Sequence, residues 1–269
     1  MKANGEKTLI QMDVEPDRIG SNYDTAVGIV ADAKLGLAAL GQELDERFSG
    51  RSAEKVDTED IAKRREACLS RIDAFSSDEE PIRPERFLSE LLPLLPENAV
   101  VCADPGTPCP YFSAYYRLPK AGRWFVTPRA HGALGYALPA VCGAYFARPD
   151  AGRIVGVMGD GSFGISVGEL ETLARLNLPV TLIVLNNANY GWIKAGQKTY
   201  GGKYYNVDFS DSDHARIAKA YGIRGRRVES PSELHEALSE ALTGEGPALV
   251  DVVVQQLQEA QAPVSKWVA

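Results

Sequence analysis

The residues that invite chemistry lie in one run. Gly159-Asp160-Gly161 is followed by 24 residues and then by Asn186-Asn187. A carboxylate and an amide carbonyl are hard oxygen ligands. An incomplete shell of this kind suits Mg2+ or Ca2+, with phosphate oxygens completing the coordination. The glycines flanking Asp160 let the backbone come close to such a phosphate. Backbone N–H groups of the turn, together with the Ser162 hydroxyl, can donate to it. The pattern therefore suggests a metal-bridged diphosphate. Gly-Asp-Gly alone is a generic turn and Asn-Asn alone is a turn signal; the pair at this separation says more than either.

Such residues meet only if the surrounding elements bring them together. RIVGVM reads as a strand running straight into Gly159, and VTLIVLNN as an apolar strand buried on both faces. Between them VGELETLARLN reads as a helix, with Ser166 and Glu169 as a capping box. A βαβ unit places the two strand ends side by side, and ligands gather beyond the carboxyl ends of parallel strands. The same alternation extends along the chain. Pro84 opens a helix, PERFLSELL; AVVCAD is a buried strand ending in the turn PGTPCP; HGALGYALPAVCGAYFA is a small-residue helix suited to close packing on a sheet. Asp213 caps HARIAKAYG, which stops at Gly222, and Ser230-Pro231 begins a helix ending near Gly244. ALVDVVV is the last core strand. Upstream, TLIQMD and VGIV are strands, and Asp32 caps AKLGLAALGQEL. The predicted fold class is α/β, a parallel sheet with helices on both faces, preceded by a partial α/β fragment.

Composition narrows the partners. The 269 residues carry a net charge of −7, which argues against a nucleic-acid surface or a basic membrane-binding face. Anionic small molecules remain possible if a local positive centre receives them. Hydrophobic residues at 45% provide for a sizeable core. Cys68, Cys102, Cys109 and Cys142 form no CxxC pair. They read as free or buried thiols of a reducing compartment. With neither an apolar signal region nor a membrane-length apolar run, the expectation is a cytoplasmic protein.

The Gly-Asp-Gly…Asn-Asn spacing resembles the thiamine-diphosphate motif. The surrounding text resembles the acetolactate synthase and 2-oxo-acid decarboxylase family through HGALGYALPAVCGA, LNNANYGWIK, IAKAYGIRGRRVESPSELHEAL and GPALVDVVV, essentially across 84–255. The resemblance implies thiamine diphosphate and Mg2+ as cofactors. Asp160 and the Asn187 side chain would bind the metal, with the Asn189 backbone carbonyl as a third ligand. Gly159, Gly161 and Ser162 would flank the diphosphate, and Gly106 and Thr107 would grip it from the other side. Here the chain departs from the family: acetolactate synthases carry Gly-Gln-His where this sequence has Gly-Thr-Pro. Thr107 keeps a hydroxyl donor, but Pro108 cannot replace a histidine. Gly132 and Leu134 match the segment that cradles the aminopyrimidine, with Leu134 wedged between the cofactor's rings. Glu169 is either an active-site acid or only the end of a capping box. His131 is either a substrate-facing acid or base or an ordinary loop histidine. Trp192 and Ile193 either shape the substrate pocket or pack in the core.

In this family the active site is built between a diphosphate-binding and a pyrimidine-binding domain. The expected division is 1–45 as the closing part of a central α/β domain, 46–83 as a charged linker or helical connection, and 84–269 as the diphosphate-binding domain. The resemblance thus implies a companion subunit carrying the pyrimidine domain and its catalytic glutamate, in a hetero-oligomer. The implied reaction is decarboxylation of a 2-oxo acid, after which the carbon freed of CO2 is either protonated or joined to a second carbonyl compound. Two alternatives stand beside it. One is a non-catalytic or regulatory thiamine-diphosphate-binding subunit. The other is a Rossmann-like nucleotide-binding module, although no GxGxxG follows the first strand.

Overall fold

The computed structural model describes residues 8–50, 58–257 and 260. The chain divides into two compact units, Met1–Thr58 and Glu59–Ala269. In the first, β1 (Ile10–Asp13) and β2 (Val27–Val30) pair in parallel. Helix α1 (Ala33–Arg47) follows, and the Asp32 side chain accepts from Lys34 and Leu35 N–H as the expected cap. Gly36 lets α1 approach β1, because a Cβ there would lie 2.5 Å from Met12 Sδ. No residue of α1 is buried, and Ile10, Val30, Leu35 and Leu37 are all exposed.

Helix α2 (Thr58–Phe75) spans much of the charged stretch. The second unit continues with α3 (Pro84–Leu94), β3 (Ala99–Ala103), α4 (Pro108–Tyr115), β4 (Phe125–Val126), α5 (Ala137–Ala147) and β5 (Arg153–Gly159). Then come α6 (Asp160–Ser166), a 3-10 turn (Val167–Glu169), α7 (Leu170–Arg175), β6 (Val180–Asn186) and α8 (Gly191–Gly201). The last elements are α9 (His214–Ala220), β7 (Arg224–Val228), α10 (Leu234–Thr243) and β8 (Ala248–Val253). Six strands form one parallel sheet in the order β4-β3-β5-β6-β8-β7. Alternating strand residues feed two cores, one per face. Val101, Val155, Ile183 and Val250 meet α3, α4 and α10 on one side. Val100, Ile154, Leu182 and Leu249 meet α5, α7 and α9 on the other. The α/β expectation is met.

The connection leaving β3 runs through α4 to β4 on one side of the sheet. That leaving β5 runs through α6 and α7 to β6 on the other. The order therefore reverses between β3 and β5, and a crevice opens beyond their carboxyl ends.

Local structure departs from the expectations at four places. PGTPCP is not all turn: α4 starts at Pro108, whose fixed φ and missing N–H suit a first helical position. Nor does the small-residue helix begin at His131. Gly132 and Gly135 adopt φ of +71° and +76°, a left-handed backbone that keeps 131–136 a loop until α5 starts at Ala137. The Ser166–Glu169 capping box does not form. GDGSFGIS is itself helical, so Ser166 is the end of α6 rather than the start of α7; its hydroxyl has no partner, and Glu169 accepts from Thr172 Oγ1 at 3.0 Å. The helix expected from Ser230-Pro231 opens as a 3-10 turn, Pro231–Glu233, that leads into α10. Two strands and one helix escaped the pattern reading: β4 has two residues, β7 is the polar edge strand RGRRV, and α8 carries three glycines. Among the described residues no helix is long and apolar enough to cross a membrane.

The expected close packing of α5 is realised at Gly156, in the middle of β5. A Cβ there would lie 2.9 Å from Val141 Cγ1 and 3.0 Å from Leu182 Cδ2. Gly156→Ala should therefore overpack this face and cost about 1–3 kcal/mol. Thermal denaturation should show the midpoint falling by several degrees, about 2–4 °C per kcal/mol in a domain of this size. An unchanged midpoint would refute such close seating.

Candidate cofactor-binding site

β5 passes into α6 without a turn, so Asp160 is the first helical residue and is almost fully buried. Its Oδ1 accepts from Gly161 N at 2.7 Å. Its Oδ2 accepts from Asn187 N at 2.8 Å and Ala188 N at 2.6 Å, just past the end of β6. The expected meeting of the two strand ends is thus made through the main chain. A carboxylate oxygen has about two lone-pair positions. Oδ2 is saturated, while Oδ1 keeps one for another partner. Burial pushes the Asp160 carboxyl up to about 6, against the opposing effect of its backbone donors.

Asn187 and Asn189 are buried beside this carboxylate. Asn187 Nδ2 reaches Thr107 Oγ1 at 3.5 Å, and Asn189 Nδ2 donates to the Asn187 carbonyl at 2.6 Å. Both amide oxygens, Asn187 Oδ1 and Asn189 Oδ1, are buried without a donor. Orphaned acceptors of this kind are uncommon and call for a partner. Among the described residues no group of three or more His, Cys, Asp or Glu gathers at one point. The local donor set is therefore one carboxylate plus amide oxygens, and a hard cation fits it.

The cleft over this set is lined by Gly106, Thr107, Leu134, Gly159, Gly161 and Ser162 on one side, and by Asn189, Trp192 and Ile193 on the other. The structure thus gathers most of the sequence-predicted residues. Trp192 ties α8 to the β3–α4 turn by donating from Nε1 to the Gly106 carbonyl at 2.9 Å. A Cβ at Gly161 would lie 2.7 Å from Tyr190 Cε1, so any larger residue there would displace that ring. A neighbouring cleft is lined by Pro105, Gly106, Arg129, Gly132, Leu134 and Trp192, so Gly132 faces the same crevice from farther along. The Ser162 hydroxyl, expected as a phosphate donor, is turned inward: it donates to Asp104 Oδ2 and accepts from Gly135 N at 2.7 Å. His131 and Glu169 are exposed and line neither cleft.

Two supporting groups carried no functional reading in the sequence. Asp104, fully buried at the end of β3, accepts from Tyr136 N at 2.8 Å and Ala137 N at 2.9 Å and so caps α5 from another strand. An acidic residue closing a buried strand was the available signal. His214 is buried with Nδ1 3.3 Å from Asn186 Nδ2 and 3.2 Å from Asp251 Oδ1; Arg227 Nη1 donates to Asp251 Oδ2 at 3.2 Å. This network braces the end of β6 from behind. His235 is exposed against Glu90.

Residues 104–252, more than half of the chain, match the family described as thiamine pyrophosphate enzyme, C-terminal TPP binding domain. The chain belongs to the thiamine pyrophosphate enzymes. It is 32% identical over 257 residues to a probable acetolactate synthase large subunit of Methanococcus aeolicus, covering 91% of this chain and 43% of that protein. It is 30% identical to acetolactate synthase 2, chloroplastic, of Zea mays, covering 93% of this chain and 40% of the relative. It is 28% identical to a probable sulfoacetaldehyde acetyltransferase of Rhizobium meliloti, over 93% and 46% respectively. The chain spans about two fifths of the length of the curated relatives it matches. The nucleotide-binding alternative gives way to thiamine pyrophosphate binding.

The buried Asp160 makes stability depend on pH. Its folded value of about 6 lies above the ordinary 3.8, so the folded state holds the proton more tightly. Stability from this group is therefore greatest below pH 3.8, falls as pH rises to about 6, and stays low above it. In EDTA, the wild-type midpoint relative to Asp160→Asn should drop between pH 4.5 and 7. A divalent cation should restore it at pH 7 and do less at pH 4.5. Equal cation effects at both pH values would contradict a carboxylate seat.

Proposed function

We propose that this chain is the diphosphate- and Mg2+-binding half of a thiamine-diphosphate-dependent enzyme that decarboxylates a 2-oxo acid. A companion subunit supplies the pyrimidine-binding domain and the catalytic glutamate, in a hetero-oligomer. The observation that carries the reading is the pair of buried, donorless amide oxygens of Asn187 and Asn189 beside Asp160. Each costs roughly 1–3 kcal/mol while unpaired. A hard cation removes that cost, and phosphate oxygens complete its shell.

Bound thiamine diphosphate supplies the carbon nucleophile and electron sink that loss of CO2 requires. The protein binds and orients. Asp160, the Asn187 side chain and the Asn189 backbone carbonyl would hold the cation; the Gly159–Ser162 backbone and Thr107 would flank the phosphates; Leu134 lines both clefts; Trp192 and Ile193 would form the wall on which substrate rests. The names of the relatives, synthase and acetyltransferase, support a second carbonyl or other acceptor for the carbon freed of CO2, with protonation as the simpler outcome. The relatives are more than twice as long, which supports a need for further domains, and the exposed apolar side chains of the β1–β2–α1 unit support a companion that covers them. His131 and Glu169 would meet substrate only where a companion covers them.

The test is to isolate the tagged chain from its native cells and weigh what accompanies it. A stoichiometric second polypeptide is expected, with thiamine diphosphate retained in Mg2+ and released in EDTA, and CO2 released from a 2-oxo acid. Asn187→Ala should weaken cofactor retention by about tenfold or more. An active chain isolated alone would refute the companion. Retention that ignores EDTA and Asn187→Ala would refute the metal seat.

A further inference from the structure

We propose that Arg129 receives the carboxylate of the 2-oxo acid, with Cys109 as the residue that positions it. This rests on the cofactor reading above and adds to it the place and partner of the substrate's charge.

The two clefts of the crevice share Gly106, Leu134 and Trp192. Asp160 and Asn189 line only the first; Arg129 lines only the second. Arg129 is the one Arg or Lys lining either cleft among the described residues. Its guanidinium meets a sulfur and no carboxylate among those residues: Nη1 donates to Cys109 Sγ at 3.0 Å. Arg148, Arg226 and Arg227, by contrast, are all neutralised by acidic partners. Thiol sulfur is a weak acceptor, so this contact orients the guanidinium without consuming its charge.

Cys109 is itself fixed. It is buried in the first turn of α4, and its N–H donates to the Gly106 carbonyl at 3.1 Å. The segment that borders the diphosphate cleft therefore also sets the position of Arg129. Behind the arginine, Gly132 N donates to the Pro128 carbonyl at 2.7 Å and closes the loop. The remaining N–H groups form a planar fork matched to a carboxylate. Arg129 is exposed to solvent, and Pro105, Leu134 and Trp192 line the same cleft. A protein of net charge −7 that holds a diphosphate needs a fixed positive centre to admit a second anion. Arg129 supplies it in the cleft that shares Leu134 with the one lined by Asp160.

The test uses the full chain as isolated from its native cells with whatever accompanies it, loaded with thiamine diphosphate and Mg2+. Binding of pyruvate and of uncharged methyl pyruvate is followed by calorimetry, beside a separate measurement of cofactor retention. Wild-type protein should prefer pyruvate by about tenfold or more. R129Q should abolish that preference with cofactor retention unchanged, and R129K should keep part of it. Cys109→Ala should weaken pyruvate binding without affecting methyl pyruvate. The proposal is overturned if wild type shows no preference, if R129Q keeps it, or if R129Q loses cofactor in step with pyruvate. Wild-type protein that fails to hold thiamine diphosphate in Mg2+ would defeat the cofactor reading itself, and this inference with it.

Discussion

The crevice depends on one buried carboxylate, that of Asp104. It sits at the carboxyl end of β3, where burial raises its proton affinity against the pull of its hydrogen bonds. One oxygen takes the first N–H groups of α5, and the other takes the Ser162 hydroxyl of α6. A single side chain thereby holds together a strand, the helix that crosses over it and the helix leaving the next strand. α5 has no side-chain cap of its own, so the loop carrying Gly132 and Leu134 is anchored at its far end by Asp104. Remove that anchor, and the Leu134 side of the crevice loses its tie to the Ser162 helix.

A second constraint acts at the opposite wall. Asp160 is spent mostly on the protein's own backbone, and this lets β6 end in a sharp departure. Ala188 takes a φ of +53°, unusual for a residue with a Cβ, and two N–H donors to one carboxylate oxygen keep it there. The chain then doubles back so that Asn189 faces the crevice and α8 can begin. Trp192 completes the arrangement by reaching across to Gly106.

Much of this was legible in the residues. The buried strands AVVCAD, RIVGVM and VTLIVLNN, the caps Asp32 and Asp213, and the Gly-Asp-Gly…Asn-Asn spacing all express strong local preferences that the tertiary structure keeps. What stayed hidden follows from contacts between distant segments. Ser162 looked like a phosphate donor because its partner, Asp104, lies 58 residues away. The loop at 131–136 looked helical because its small residues fit a helix, while only backbone dihedrals at Gly132 and Gly135 reveal otherwise. The strand β7, RGRRV, was obscured by arginines whose charges are taken up by Asp211, Glu236 and Glu240 at the sheet edge.

The division of labour within Asp160 carries a consequence for how the protein matures. One of its oxygens is filled only when β6 lies in register beside β5, with Gly159 opposite Leu185. A one-residue slip of β6 would turn Asn187 away and leave the carboxylate without its two donors. A peptide that carries Gly-Asp-Gly and Asn-Asn without this strand pairing could therefore not reproduce the carboxylate's hydrogen bonds. The filling of this oxygen is a report on correct strand registration, and a chain that has buried Asp160 with both donors in place has already completed the central pairing of its sheet.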